Sequence, residues 1–343
     1  MLISPVLKRN KSMQILKETF SPDFTPEEYL KIIDPELPDK LLFYDIETTG
    51  FSSSRNEIYL IGFAVRSDDG FEYTALLSEK PGEEAEILKA FNEAALKFPV
   101  LIEYNGSTFD RPFLIKRCAN AGLTSFAPKK ELDLYREYSF LKKYPDIESL
   151  KQKDLEGLLG IERRFPDGKE CIRLYRAWQR DHDEIKKNMF IGHNKEDLTG
   201  LVSICRIASA LQLYKGMYTC ISARITEDKV IFKLDLPFPL PFRLKFANDL
   251  LIVHGEGKQA EIQVPMKEGR LRQFYPDYKN YDYIPSEDTA MTKRVSAFLD
   301  RSLRKPARPE TCYTWFRPGP EFTESPAIQE KYLRQTLPLM LDL

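Results

Sequence analysis

At 343 residues, 42% of them hydrophobic, the chain is long enough for two domains with ordinary buried cores. Its 51 Lys and Arg against 52 Asp and Glu leave a net charge of -1, which excludes a polybasic coat that grips nucleic acid by charge alone but permits a local basic groove beside an acidic pocket. Five cysteines without CxxC spacing exclude a cysteine zinc site and a disulfide framework, so a reducing, cytoplasmic setting is expected. No stretch approaches the ~20 apolar residues that span a bilayer, and the charges at Lys8, Arg9 and Lys11 precede no sustained apolar run of the signal-peptide kind.

Taken in order, residues 1–38 read as a lead-in, with turns at Phe20-Ser21-Pro22 and Thr25-Pro26 around a short helix. Three apolar segments follow: Leu41 to Thr48, Ile58 to Val65, and Phe71 to Leu77 after the Asp68-Asp69-Gly70 turn. Their spacing predicts an antiparallel meander. A helical period runs from Pro81 to Lys97, and the short strand Val100-Leu101-Ile102 leads into an Asn105-Gly106 turn and a helix with Pro112 in its first turn. Glu131 to Leu134 reads as a strand, 149–160 and 170–190 as helices, and His193 to Tyr214 as a long closing helix. Past residue 217 the alternation in Val230 to Leu234, Phe242 to Phe246, Leu250 to Val253 and Ala260 to Val264 predicts a β-rich module, followed by a helix at Glu287 to Leu303 and a Pro-rich tail. The expected organisation is therefore a lead-in at 1–38, an α/β domain at 39–216 and a smaller β-rich module at 217–343.

The stretch Leu41-Leu42-Phe43-Tyr44-Asp45-Ile46-Glu47 is apolar on both faces, the pattern of a covered central strand. Asp45 and Glu47 project from one face near its end, roughly 6.5 Å apart at about 3.3 Å per residue. Two desolvated carboxylates stay ionised only if something positive sits between them, and a divalent metal fits that need. On the last helix, His193, Asp197, Leu201, Ile204, Cys205 and Ala208 form one stripe whose remainder is apolar, which turns an imidazole and an acid toward the core. Asp110, two residues before Pro112, suits a helix N-cap and is equally placed to join the other acids. Glu196 lies off the stripe and is expected in solvent.

Asp45-Ile46-Glu47-Thr48-Thr49-Gly50, the segment Asn105 to Asp110, and His193-Asn194-Lys195-Glu196-Asp197 together resemble the three ordered motifs of the ribonuclease H-like 3′-5′ exonucleases with four metal-binding acids, the DEDD superfamily. The middle motif is most similar to the YprB-like branch. The resemblance covers about residues 40–214. It implies a ribonuclease H-like mixed sheet flanked by helices, with Asp45, Glu47, Asp110 and Asp197 as ligands for two Mg²⁺ or Mn²⁺ ions. His193 matches the residue that activates the attacking water, although it stands four positions before Asp197, where histidine-type members have five.

The implied reaction is hydrolysis of DNA or RNA phosphodiesters from a 3′ end, with two ions stabilising the attacking and leaving oxygens. Two bare carboxylates ~4 Å apart would repel by roughly 4 kcal/mol at an effective dielectric near 20, so metal should raise the melting temperature. A neutral imidazole at position 193 could take the water's proton, giving activity that rises through neutral pH. The expected partner is single-stranded or end-frayed nucleic acid. Phe51, Tyr104 and Phe109 are candidates for stacking on a terminal base, and basic clusters at Lys129-Lys130, Lys142-Lys143, Arg163-Arg164, Arg173 with Arg176 and Arg180, and Lys186-Lys187 are candidates for tracking phosphates. The alternatives are an inactive ribonuclease H-like binding module and a structure-specific endonuclease. Nothing in the β-rich module indicates a chemistry, and the tyrosines between Tyr275 and Tyr283 read as core caps.

Overall fold

The computed structural model describes residues 8–10, 13–80, 82–125 and 130–343; Lys11, Pro81 and Lys129, cited above, lie outside the described residues. Its contacts resolve two compact units, Met1–Lys142 with Glu148–Arg206, and Lys143–Ile147 with Ile207–Leu343.

The first unit is built on a seven-stranded sheet. Strands β1 (Lys8–Asn10) and β2 (Met13–Phe20) precede helix α1 (Pro26–Ile33); β3 (Leu41–Thr48), β4 (Ile58–Ser67) and β5 (Gly70–Ser78) form the meander that the sequence predicts. After α2 (Glu84–Ala95) come β6 (Val100–Glu103), α3 (Asp110–Asn120), β7 (Lys130–Asp133) and α4 (Leu134–Glu137), and the unit continues through α5 (Gln152–Leu158), α6 (Gly168–Asp181) and α7 (Glu184–Ile204). The strand order is β1-β2-β5-β4-β3-β6-β7. β3 therefore lies inside the sheet, antiparallel to β4 and parallel to β6, and all but one of its residues are buried. The β3–β6 pairing covers only Leu41–Phe43 with Val100–Ile102. Asp45 and Glu47 thus run past the paired end of β6, at the carboxyl ends of parallel strands where open α/β sheets leave a crevice.

One face of the sheet closes over Leu42, Tyr44, Ile46 and Ile61 with Leu88 and Phe91 of α2 and Phe113 and Leu114 of α3. α7 buries Phe190, Ile191, Leu198, Leu201, Val202 and Ile204 along much of its length, and His193 and Asn194 are buried with them.

Several boundaries depart from the sequence expectation, each for a local reason. The helix expected at 170–190 is two helices, because His182 takes a left-handed φ of +51° that ends α6 and the Asp183 carboxylate accepts from Ile185 N at 2.8 Å to start α7. The closing helix consequently begins at Glu184 rather than His193, and at Cys205 it tightens into a 3₁₀ turn. Leu134, read as strand, opens α4, whose N-cap is Asp133. Asp110 begins α3 without capping it by its side chain.

The second unit is β-rich, as expected. Strands β8 (Thr219–Ile225), β9 (Lys229–Asp235), β10 (Leu244–Ala247), β11 (Ile252–Glu256) and β12 (Gln259–Pro265) form an antiparallel sheet in the order β10-β11-β12-β9-β8. β13 (Leu271–Phe274) pairs with β17 (Tyr313–Phe316), and β14 (Tyr281–Ile284) lies between β15 (Thr289–Thr292) and β16 (Lys305–Pro306). The helix expected at Glu287 to Leu303 is mostly absent, because Asp288 at φ +51° turns the chain into the β14–β15 hairpin and leaves one helical turn at Lys293–Ser296. The Pro-rich tail is also corrected: Pro326 occupies the first turn of a 17-residue helix ending at Asp342, which buries Tyr332, Leu333, Leu337, Met340 and Leu341. Tyr275, Tyr278, Tyr281 and Tyr283 pack round Ala290, Ala307 and Cys312, in keeping with their reading as core caps.

Because α7 carries two of the proposed site residues, its start matters. Asp183→Ala removes the side-chain acceptor on the Ile185 amide and should cost about 1 kcal/mol in urea unfolding, with Asp183→Asn nearly neutral; an unchanged Asp183→Ala midpoint would contradict that role.

Candidate functional site

The end of β3 gives two carboxylates, the start of α3 a third and the middle of α7 a fourth. Glu47, His193 and Asp197 place one ligand atom each within 4.8 Å of one another. His193 Nε2 lies 3.3 Å from Asp197 Oδ2 and 3.7 Å from Glu47 Oε1, while its buried Nδ1 has no hydrogen-bond partner. Four residues along a helix is close to one turn, and that spacing is what lets the imidazole and Asp197 meet. Asp45 and Asp110 stand outside this tight trio. Their charge still reaches it: burial is the largest force raising the Asp45 and Glu47 carboxyls well above their usual range, and next come the charges of Asp197 and Asp110. Asp110 is pushed up to about 7, first by burial and then by Glu103.

Three of the four carboxylates are held from behind. Asn194 Nδ2 donates to Asp45 Oδ2 at 2.8 Å, and its own Oδ1 accepts from Tyr73 at 3.0 Å. A Cβ on Gly62 of β4 would run into that Asn194 oxygen, so the strand beside Asp45 carries glycine where the amide must pass. Tyr59 OH reaches Glu47 Oε2 at 3.5 Å. Arg163 Nη1 contacts Asp197 Oδ1 at 2.6 Å, and the same guanidinium grips fully buried Glu156 at 2.7 and 2.9 Å. Gln152 closes the group, donating to Glu156 at 2.9 Å and to the Asp197 carbonyl at 2.7 Å.

Charge at the site does not balance. Among the described residues Arg163 is the only Lys or Arg paired with any of the four acids, and it is shared with Glu156. Burial also raises Asp197, opposed by His193 and Arg163. A buried anionic cluster with one shared cation suits a divalent ion, and a donor set of carboxylate oxygens with one imidazole suits the hard cations Mg²⁺ and Mn²⁺.

Sequence reasoning missed four supports. Asn194 lay inside a quoted motif, next to His193. Glu103 is 1% exposed at the end of β6 and donates nothing when ionised, accepting instead from Tyr44 OH at 2.5 Å; burial, ahead of the charges of Asp133 and Glu131, pushes it up to about 7. Arg163 and Glu156 gave no signal, since their pairing bridges a loop whose path no period reveals. Arg163, expected among the phosphate-tracking cations, is instead paired with Glu156 and Asp197. Glu196, expected in solvent, instead accepts from the backbone amides of Arg164 and Phe165 at 2.8 and 3.3 Å, fixing the loop that carries Arg163.

The other basic side chains are largely engaged locally. Arg173 pairs with Glu170, Lys186 with Asp181, Lys187 with Glu184 at 2.5 Å and Lys130 with Asp34, while Arg176 donates to the Thr49 carbonyl at 2.7 Å. Of the three candidate stacking rings, Tyr104 donates to the Leu150 carbonyl and Phe109 packs on Phe113, whereas Phe51 is 73% exposed and edge-on to Phe109 at 6.4 Å.

Residues 42–209 match the model of the RNase_H superfamily. The fold of this region is ribonuclease H-like. The family B DNA polymerase of the hyperthermophilic archaeon Pyrobaculum calidifontis is similar over 88% of this chain and 46% of its own, at 12% identity and a TM-score of 0.41, so the chain spans about half the length of that polymerase. No curated protein matches the chain. Among the described residues no helix is long and apolar enough to cross a membrane.

The raised carboxyls set a pH dependence. Asp110 and Glu103 hold protons in the folded state to about pH 7, whereas in the unfolded chain they release them near pH 4, so without metal their contribution to stability is complete below about pH 4 and is lost as pH rises through about 7. The melting temperature in EDTA should therefore fall between pH 5.5 and 8, and Mn²⁺ should reverse the fall; a rise over that window in EDTA would contradict the geometry.

Proposed function

We propose that the chain is a metal-dependent nuclease that hydrolyses phosphodiester bonds of DNA or RNA, acting as a 3′-5′ exonuclease. The observation that carries this reading is the Glu47–His193–Asp197 trio, its ligand atoms within 4.8 Å of one another at the open end of a ribonuclease H-like sheet, with the charges of Asp45 and Asp110 acting on the same carboxyls and one shared arginine as counter-charge. Asp45, Glu47, Asp110 and Asp197 are the residues that would hold two Mg²⁺ or Mn²⁺ ions. When bound, such ions supply a nucleophilic hydroxide at neutral pH and stabilise charge on the leaving oxygen.

The chain's own residues prepare that chemistry. Asn194 fixes the orientation of Asp45, and Arg163, braced by Glu156, fixes Asp197. His193 Nε2 sits between the Glu47 and Asp197 carboxylates, where a neutral imidazole would accept a proton from water. Phe51, exposed after the first motif, offers a ring on which a terminal base can stack. Tyr104 and Phe109 serve the scaffold.

End-labelled single and double strands of DNA and RNA with Mn²⁺ should give a ladder of products shortening from the 3′ end, absent in EDTA and reduced at least about 100-fold by Asp45→Asn. A folded wild type that yields no product with any of these substrates would leave a nucleic-acid-binding module, and discrete internal fragments would instead indicate an endonuclease.

His193→Gln should flatten the rise of kcat/KM through neutral pH while Mn²⁺ affinity changes little. The short Glu47–His193–Asp197 distances also support a second reading in which Nε2 is itself a ligand. In that case the variant loses Mn²⁺ affinity and keeps its pH profile.

A further inference from the structure

On the second unit, β13 and β17 pair antiparallel with Arg272 opposite Trp315. Three cations gather on that indole: Arg272 Cζ lies 5.0 Å from the ring centroid, Arg270 Cζ 5.4 Å and Lys267 Nζ 5.7 Å. A fourth, the exposed Arg317, lies beside the turn between Lys267 and Arg270, its Nη1 3.7 Å from where Gly269 would carry a Cβ. Trp315 is fixed by its Nε1, which donates to the Asp288 carbonyl at 2.7 Å, and its ring is left half-buried.

Like charges brought this close repel, and their neighbours do not balance them. Asp288 accepts from Lys267 at 3.3 Å but is shared with the Tyr283 and Tyr313 hydroxyls. Glu268 pairs with Arg270 at 2.8 Å from a 70% exposed side chain. Arg272 and Arg317 make no ion pair among the described residues, and the Nε atoms of Arg270 and Arg272 are buried without a hydrogen-bond partner. Four positive charges against two negative ones leave this face positive on a chain whose net charge is -1. A small inorganic anion would meet the cations and leave the indole unused. A polymer that alternates phosphates with flat bases meets both.

We propose that Lys267, Arg270, Arg272, Arg317 and Trp315 form a binding site for single-stranded nucleic acid on the second unit, with the cations on phosphates and the indole under a base. The proposal deepens the nuclease reading and rests on it for the class of polymer.

The test uses the full chain carrying Asp45→Asn in EDTA, with fluorescence anisotropy of labelled 15-nucleotide dT and rU strands over a range of salt. Arg272→Gln with Arg317→Gln should raise Kd about ten-fold at 0.1 M salt and flatten the log–log salt slope by about 1.4, two phosphate contacts at roughly 0.7 each. Trp315→Leu should raise Kd about ten-fold and leave the slope unchanged. If the double variant fails to fold, the exposed Arg317→Gln alone should still flatten the slope by about 0.7. A folded variant with unchanged Kd and slope overturns the site, as does competition by polyglutamate as strong as by the strands, which would mark a general anion surface. Cleavage is read separately, on the wild-type chain in Mn²⁺: binding without wild-type cleavage defeats the nuclease reading alone, and wild-type cleavage with binding indifferent to these variants defeats this proposal alone.

Discussion

The structure turns on the mutual repulsion of acids brought to the end of β3, where Asp197 and Asp110 raise the carboxyls of Asp45 and Glu47. Asp45 and Glu47 are committed to that place by the strand they end, since β3 is covered on both faces and cannot rotate them into water. Asp197 is committed by a helix whose neighbouring Leu198 and Leu201 are buried. With Arg163 shared between Asp197 and Glu156, the pocket keeps an excess of negative charge that only protons or cations can relieve. Burial first, and that excess second, holds the carboxyls above their usual range, and both effects would be relieved by a bound cation.

Much of the surrounding architecture serves to hold this unfavourable arrangement in place. Gly62 leaves room for the Asn194 amide, which ties α7 to Asp45. Glu156, fully buried, keeps the Arg163 guanidinium aimed at Asp197, and Gly200 leaves room for the Glu156 carboxylate on the neighbouring helix. A buried pair of this kind contributes little net stability, because desolvation offsets attraction; its value here lies in fixing direction. Glu196 on the loop amides shows the same logic one shell further out.

The parts of this site that the sequence revealed were those written in local periodicity. Two apolar faces around Asp45 and Glu47 marked a covered strand, and the meander after it followed from three apolar runs and an Asp-Asp-Gly turn. The stripe through His193 and Asp197 placed both on the inner side of a helix. Helix ends were legible less well: His182 and Asp183 break what reads as one amphipathic run, since a left-handed residue and a cap are single-residue events. The partners that aim the acids were not legible at all. Arg163, Glu156 and Glu103 meet the site only through loop paths and strand register, so their roles emerge from distance alone. In the second unit, the hairpin turn at Asp288 overrode a helical reading, and the terminal helix places Pro326 where no amide partner is needed and continues past Pro338 by burying Leu337, Met340 and Leu341.

Proton release on metal binding tests the central claim most directly. Calorimetric titration of Mn²⁺ into the metal-free protein at pH 7, run in two buffers of different ionisation enthalpy, reports both the number of ions bound and the protons expelled. If the four acids form one cation-neutralised pocket, binding approaches two ions per chain, releases protons from the raised carboxyls and is strongly weakened by Asp45→Asn. A folded protein that binds no Mn²⁺ at millimolar concentration, or that binds it with no proton release and no response to Asp45→Asn, would contradict the account.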